Sequence, residues 1–196
     1  MKKILLTALV LIPLLGFSQT TTKPIDGFLG IKFGSTKIAV MAAMKARGGK
    51  VDPSSDATDL AFTNISMGHR ATEVVIVRFV NGKAFEGDIF FTPADNDHTI
   101  EYYNDLVNDI NDSYGNGQDS KKFTSPYVEG DGHEVTALLI GAADYNTYWE
   151  AANSNTIHAQ IDKESDSSLS VELTYQDDIL TQQALDKQKA KDKGDL

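Results

Sequence analysis

A chain of 196 residues with no cysteine and a formal net charge of −10 is bounded in several ways at once. It has no disulfide framework, no thiol nucleophile and no thiolate metal site, and its acidity disfavours phosphate backbones and anionic lipid. The length suits one domain, or two small fused repeats, able to bury a core without staples.

Residues 1–18 read as a signal peptide. Lys2 and Lys3 give the positive start, Ile4 to Leu15 the short apolar run, and Gly16-Phe17-Ser18 the small residues before a cleavage that leaves Gln19 first. The run is too short to span a bilayer, no second apolar segment of about 20 residues follows, and no cysteine is placed to carry a lipid. The expectation is an exported protein, periplasmic or secreted, without membrane insertion. Residues 19–27 form a polar, flexible lead-in.

Folded structure is expected from Phe28, in the apolar segment Phe28, Leu29, Ile31 and Phe33. Ser35 is placed to cap a helix running to Arg47, with Ile38, Met41, Ala42 and Met44 or Lys45 as its apolar stripe and Gly48-Gly49 as its stop. Leu60 and Phe62 begin a strand pattern. The β-branched run 73–80 is followed by Asn81-Gly82 and a returning strand over 83–91, a hairpin cue because both turn residues tolerate positive φ. On that strand Phe85, Ile89 and Phe91 are expected on one side and Phe90 on the other.

Asp97 or Thr99 should cap a second helix over 100–114, whose Ile100, Tyr103, Leu106, Val107, Ile110 and Tyr114 recur at three and four. A polar loop over 116–120 precedes predicted strands at 123–129, 134–143, 147–152, 156–162 and 169–175, with Gly130-Asp131-Gly132 as a tight turn. Strand runs separated by single helices predict an α+β fold: two helix-plus-antiparallel-meander units, 28–93 and 94–178, forming a pseudo-repeat in a helix/sheet two-layer domain. Residues 179–196 read as a polar tail, frayed helix or disordered by default.

At Phe28-Leu29-Gly30-Ile31-Lys32-Phe33-Gly34, at Gly48-Gly49 and at Pro126 to Gly132, the chain resembles a group of uncharacterised secreted proteins of Bacteroidetes-type bacteria. Their layout is similar to the helix-plus-meander repeats of β-lactamase inhibitory protein and of small outer-membrane assembly proteins. That resemblance implies a fold and a non-catalytic binding role, but no transferable contact residue.

No catalytic constellation assembles from the residues. His69, His98, His133 and His158 are isolated, and there is no nucleophile elbow, P-loop or dinucleotide fingerprint. No cofactor or metal is expected. Asp95 to Glu101 has the alternating oxygens of a calcium loop without its glycine or terminal glutamate, and helix capping explains it as well. Glu101, Asp105, Asn108, Asp109 and Asp112 make an acidic helix face, read first as a solvated one. Tyr145, Tyr148 and Trp149 are the candidate partner-binding residues, although plugging the core between helix and sheet is the favoured reading for Trp149.

The leading expectation is therefore an exported protein-binding module of the cell envelope or exterior. The alternative is a glycan-directed hydrolase using carboxylates among Glu129, Asp131, Glu134 and Glu150. Carriage of a small ligand between helices and sheet is the third reading.

Overall fold

The computed structural model describes residues 23–165 and 167–194, so the signal-peptide reading of 1–18 lies outside the described residues. The fold is α+β, built on one large antiparallel sheet. A small hairpin, β1 (Gly27–Phe28) and β2 (Ile31–Lys32), precedes helix α1 (Lys37–Ala46). Strands β3 (Lys50–Val51), β4 (Asp59–Thr63), β7 (Val74–Val80) and β8 (Lys83–Phe91) follow, with the short pair β5 (Ser66–Met67) and β6 (Arg70–Ala71) set aside from the sheet. Then come α2 (Thr99–Tyr114), β9 (Gln118–Phe123), α3 (Glu134–Leu139), β10 (Ala143–Glu150), β11 (Thr156–Ser165), β12 (Ser168–Gln176) and α4 (Asp178–Gly194).

The eight strands run in the order β3-β4-β7-β8-β12-β11-β10-β9, so each half contributes four neighbouring strands that meet at β8–β12. The correspondence of the halves stops at strand order. Their helices have 10 and 16 residues, and each half carries a different insertion, so the pseudo-repeat is not established. Asn81 and Gly82 both take positive φ, 51° and 74°, and make the expected two-residue turn between β7 and β8.

Residues opposite each other across an antiparallel pair share a face. One row, Phe62, Val75, Ile89, Leu173, Ala159 and Thr147, crosses six strands and is buried throughout. Onto it α1 lays Val40 and Met44, and α2 lays Tyr103, Leu106 and Ile110. Phe28 packs against Gly87, where any Cβ would collide with its ring.

Several expectations are corrected. The α1 stripe is rotated: Ile38 is 82% exposed and Met41 45%, and the inward pair is Val40 and Met44. The cap is Thr36, whose Oγ1 accepts from Ala39 N at 3.3 Å, rather than Ser35. At the second helix neither Asp97 nor Thr99 caps the start. Asp95 does, accepting from His98 N at 3.0 Å through a single turn of 3₁₀ helix.

Residues 118–123 are strand, where a loop was expected over 116–120 and a strand only from 123. The segment 123–129 is largely turn, and residues 134–139 are helical rather than extended. Asp131 explains this, since its carboxyl accepts from Val128 N and His133 N and folds the Gly130–Gly132 loop into a helix start. Phe85 also departs from expectation. The register shift at Arg78/Phe79 makes it the extra residue of a bulge. Phe85 is buried but stands outside the helix-side core cluster, on the side of α4. The polar C-terminal stretch is helix α4 from Asp178, packed on β7 and β8.

Candidate binding face

The sheet face turned away from α1 and α2 is polar. Its central row reads Ala61, Ile76, Asp88, Thr174, His158, Tyr148 and Gln118 across β4, β7, β8, β12, β11, β10 and β9. Side chains on this row and its neighbours bond to one another instead of to a covering layer. Thr174 Oγ1 donates to Asp88 Oδ1 at 3.0 Å, Gln176 Nε2 to Glu86 Oε2 at 2.6 Å, and Gln160 Nε2 to both Glu172 Oε2 (2.7 Å) and Asp162 Oδ2 (2.9 Å). Arg78 forks between Glu86 Oε1 at 3.3 Å and Asp88 Oδ2 at 3.1 Å. Both contacts are ion pairs without hydrogen-bond alignment, and Asp88 Oδ2 is buried without a hydrogen-bond partner.

Crowding of carboxyls sets their protonation. Burial pushes Asp88 up to about 6, aided by the Glu86 charge and opposed by Arg78. Burial likewise pushes Glu172 up to about 7, with Asp88 and Asp162 adding and the Gln160 hydrogen bond subtracting. His158 is held below its ordinary value by burial. It is therefore neutral at pH 7, consistent with its Nε2 donating to Asn146 Oδ1 at 2.8 Å.

Tyr148 stacks flat on the His158 ring, with centroids 4.2 Å apart and planes 3° from parallel, and remains 44% exposed. It is the one member of the predicted aromatic trio that a partner can reach. Tyr145 and Trp149 are 3% and 1% exposed and belong to the core, which corrects their candidacy. The physical reason is alternation: on β10, 145, 147 and 149 point to the helices, and 146 and 148 point away. Trp149 Nε1 donates to Asn111 Oδ1 and Gly115 O, both at 3.0 Å, and Gly117 lacks a Cβ where the indole passes. Tyr103, Thr147 and Asp119 continue this polar seam, at 2.6 and 3.1 Å.

The carboxylates of the hydrolase reading are spent on shaping the loop. Glu134 Oε1 accepts from Gly130 N at 2.7 Å, Glu129 pairs with Lys121 at 3.2 Å, and backbone hydrogen bonds hold Asp131 below the ordinary range, the wrong direction for a general acid. Glu150 lies two strand positions beyond Tyr148, at the end of β10. Asp95 of the calcium-like run bonds His98 through both its backbone and ring nitrogens. Among the described residues, no group of three or more His, Asp or Glu is placed to hold a metal. On the acidic face of α2, Asp109 pairs with Arg70 at 2.7 Å.

Helix α4 crosses this same polar face over β7 and β8. It is anchored at its start, where Asp177 N donates to Phe85 O, Asp178 N to Asn155 Oδ1, and Leu180 N to the capping Asp177 Oδ1. Farther along it stands off the sheet and leaves a cleft of about 510 Å³. The sequence reading missed Arg78, Asp88, Glu172 and this cleft. One trace was present: Glu86 and Asp88, two positions apart, are carboxylates in a strand otherwise apolar after Lys83.

No protein-family model, curated protein or solved structure matches the chain. Among the described residues, no helix is long and apolar enough to cross a membrane.

Proposed function

We propose that the chain is an exported, non-catalytic binding module of the cell envelope or exterior, and that it meets a protein partner with the β9–β12 half of its polar sheet face. The exposed Tyr148 stacked on His158 carries this reading. An aromatic ring fixed by a neighbour loses little freedom on binding and offers a rigid anchor. The surrounding ladder of Asn146, Gln160, Glu172 and Thr174 is already hydrogen-bonded, so it supplies a pre-ordered polar rim. The helix-side space is filled by Trp149, Tyr103 and their neighbours, which leaves ligand carriage between helices and sheet without room. The resemblance to helix-plus-meander inhibitory and assembly proteins points the same way.

The test is a photo-crosslinking residue placed at position 148 and, separately, at the exposed Asn108 on α2, in cells of the native host. A discrete adduct from 148 and none from 108 is the expected result. Absence of a 148-specific adduct overturns the assignment of this face.

A further inference from the structure

The stripe of α4 nearest the sheet runs from half-buried Leu180, Thr181 and Ala184 to exposed Lys187, Gln188 and Lys191, which line the cleft, spaced by three and four. It is a poor cover. Where a core-facing helix would place a large apolar side chain, α4 places Ala184, opposite Val80 and the bulged Phe85. The hydroxyl of Thr181, one turn earlier on the stripe, is buried without a hydrogen-bond partner. The sheet beneath is therefore greasy at one spot and not sealed. The resulting volume, about 510 Å³, lies within the roughly 300–1,000 Å³ of small-molecule sites.

Charge decides what fits. In a chain of net −10, the side chains around this cleft are Arg78, Lys187 and Lys191 against the single carboxylate Asp59. Arg78 is committed to Glu86 and Asp88, whereas Lys187 and Lys191 form no ion pair among the described residues. They stand four residues apart, one helical turn, at the mouth of an apolar slot. A cationic ligand would meet two lysines, and a neutral one would leave them without a counter-charge. An apolar body with an anionic head answers both features.

We infer that the cleft between α4 and β7–β8 binds a small amphipathic anion, its hydrocarbon or aromatic body against Val80, Phe85 and Ala184 and its carboxylate, sulfonate or phosphate head between Lys187 and Lys191. This site is separate from the Tyr148 surface and stands or falls independently of it.

The test uses the full mature chain and 1-anilinonaphthalene-8-sulfonate, an apolar anion whose fluorescence reports burial. Decanoate, decanol and decyltrimethylammonium serve as competitors. One saturable equivalent is expected, displaced by decanoate and not by the cation. The double variant Lys187→Glu/Lys191→Glu, at exposed positions, should weaken decanoate about tenfold or more. Ala184→Trp, which fills the slot, should abolish binding while circular dichroism and Tm stay unchanged. If Ala184→Trp does not fold, the charge-reversal pair decides alone. Non-saturable probe binding, equal displacement by the cation, or decanoate affinity unmoved by charge reversal overturns the inference.

Discussion

The two faces of the sheet solve the same problem with opposite chemistry. Beneath α1 and α2, side chains are excluded from water by packing, and the polar atoms among them, such as Tyr103 Oη and Trp149 Nε1, have partners. On the other face, no helix among the described residues is laid on the β12–β11–β10 half. There burial comes from neighbouring side chains leaning on one another, as Gln160 does on Glu172 and Asp162. The first arrangement stabilises through area removed from water and tolerates little change of volume. The second keeps charges near a surface at some cost in stability, visible in the raised Asp88 and Glu172.

The largest effect should fall on the packed face. Trp149→Ala removes a side chain that is 1% exposed and leaves Asn111 Oδ1 and Gly115 O each one donor short. A loss of about 3–5 kcal/mol is expected in urea unfolding. Met44→Ala, on the inward side of α1, follows at about 2–4 kcal/mol. Should either prove near neutral, the helix-side layer is not the structural core.

The polar face should announce itself through pH. Asp88 and Glu172 hold protons in the folded chain, up to about 6 and about 7, that the unfolded chain has released above 3.8 and 4.5. Between those values the native state binds more protons than the unfolded state, so stability falls as pH rises through the window and levels off above it. Glu172→Gln removes its share of that dependence. The decline between about pH 4.5 and 8 should shrink by about 1 kcal/mol, a figure discounted because the group is half open to solvent. Identical pH profiles for Glu172→Gln and the parent would mean that this carboxyl is fully solvated.

Legibility followed the same division. Helix α2 was readable because Ile100, Tyr103, Leu106, Ile110 and Tyr114 recur along the whole helix with carboxylates opposite, and β7–β8 because Asn81-Gly82 admits only one compact turn. The β9 and α3 segments were not. Strand β9 has the composition of a loop, QDSKKF, and is extended only because β10 pairs with it; residues 134–139 carry Val135, Leu138 and Leu139, which local turn chemistry places on a helix. The polar face eluded the sequence for another reason. Arg78, Asp88, Thr174 and His158 lie on four strands and are neighbours only through register, which no local pattern encodes.

The exposed side of helix α1 carries the smallest effect and the most specific lesson. Its ten residues hold two apolar sets, Ile38-Met41-Ala42 and Val40-Met44, and helical spacing alone favours the longer one. The choice is made by the flanks. Phe28 on Gly87 and the Gly34 N to Ala84 O bond, 2.8 Å, fix how the chain enters the helix, and the Gly49 N to Met44 O bond, 2.9 Å, fixes how it leaves. Between those anchors Val40 and Met44 are the residues of α1 that become buried, with Ala43 packed beside them. Ile38→Ser should therefore change unfolding free energy by less than about 0.5 kcal/mol, against the severalfold larger cost of Met44→Ala on the same helix. A loss near 2 kcal/mol at Ile38 would show that its stripe is covered after all, either by a rotated helix or by a bound neighbour; if by a neighbour, dilution lowers the parent's stability and the difference from the variant disappears.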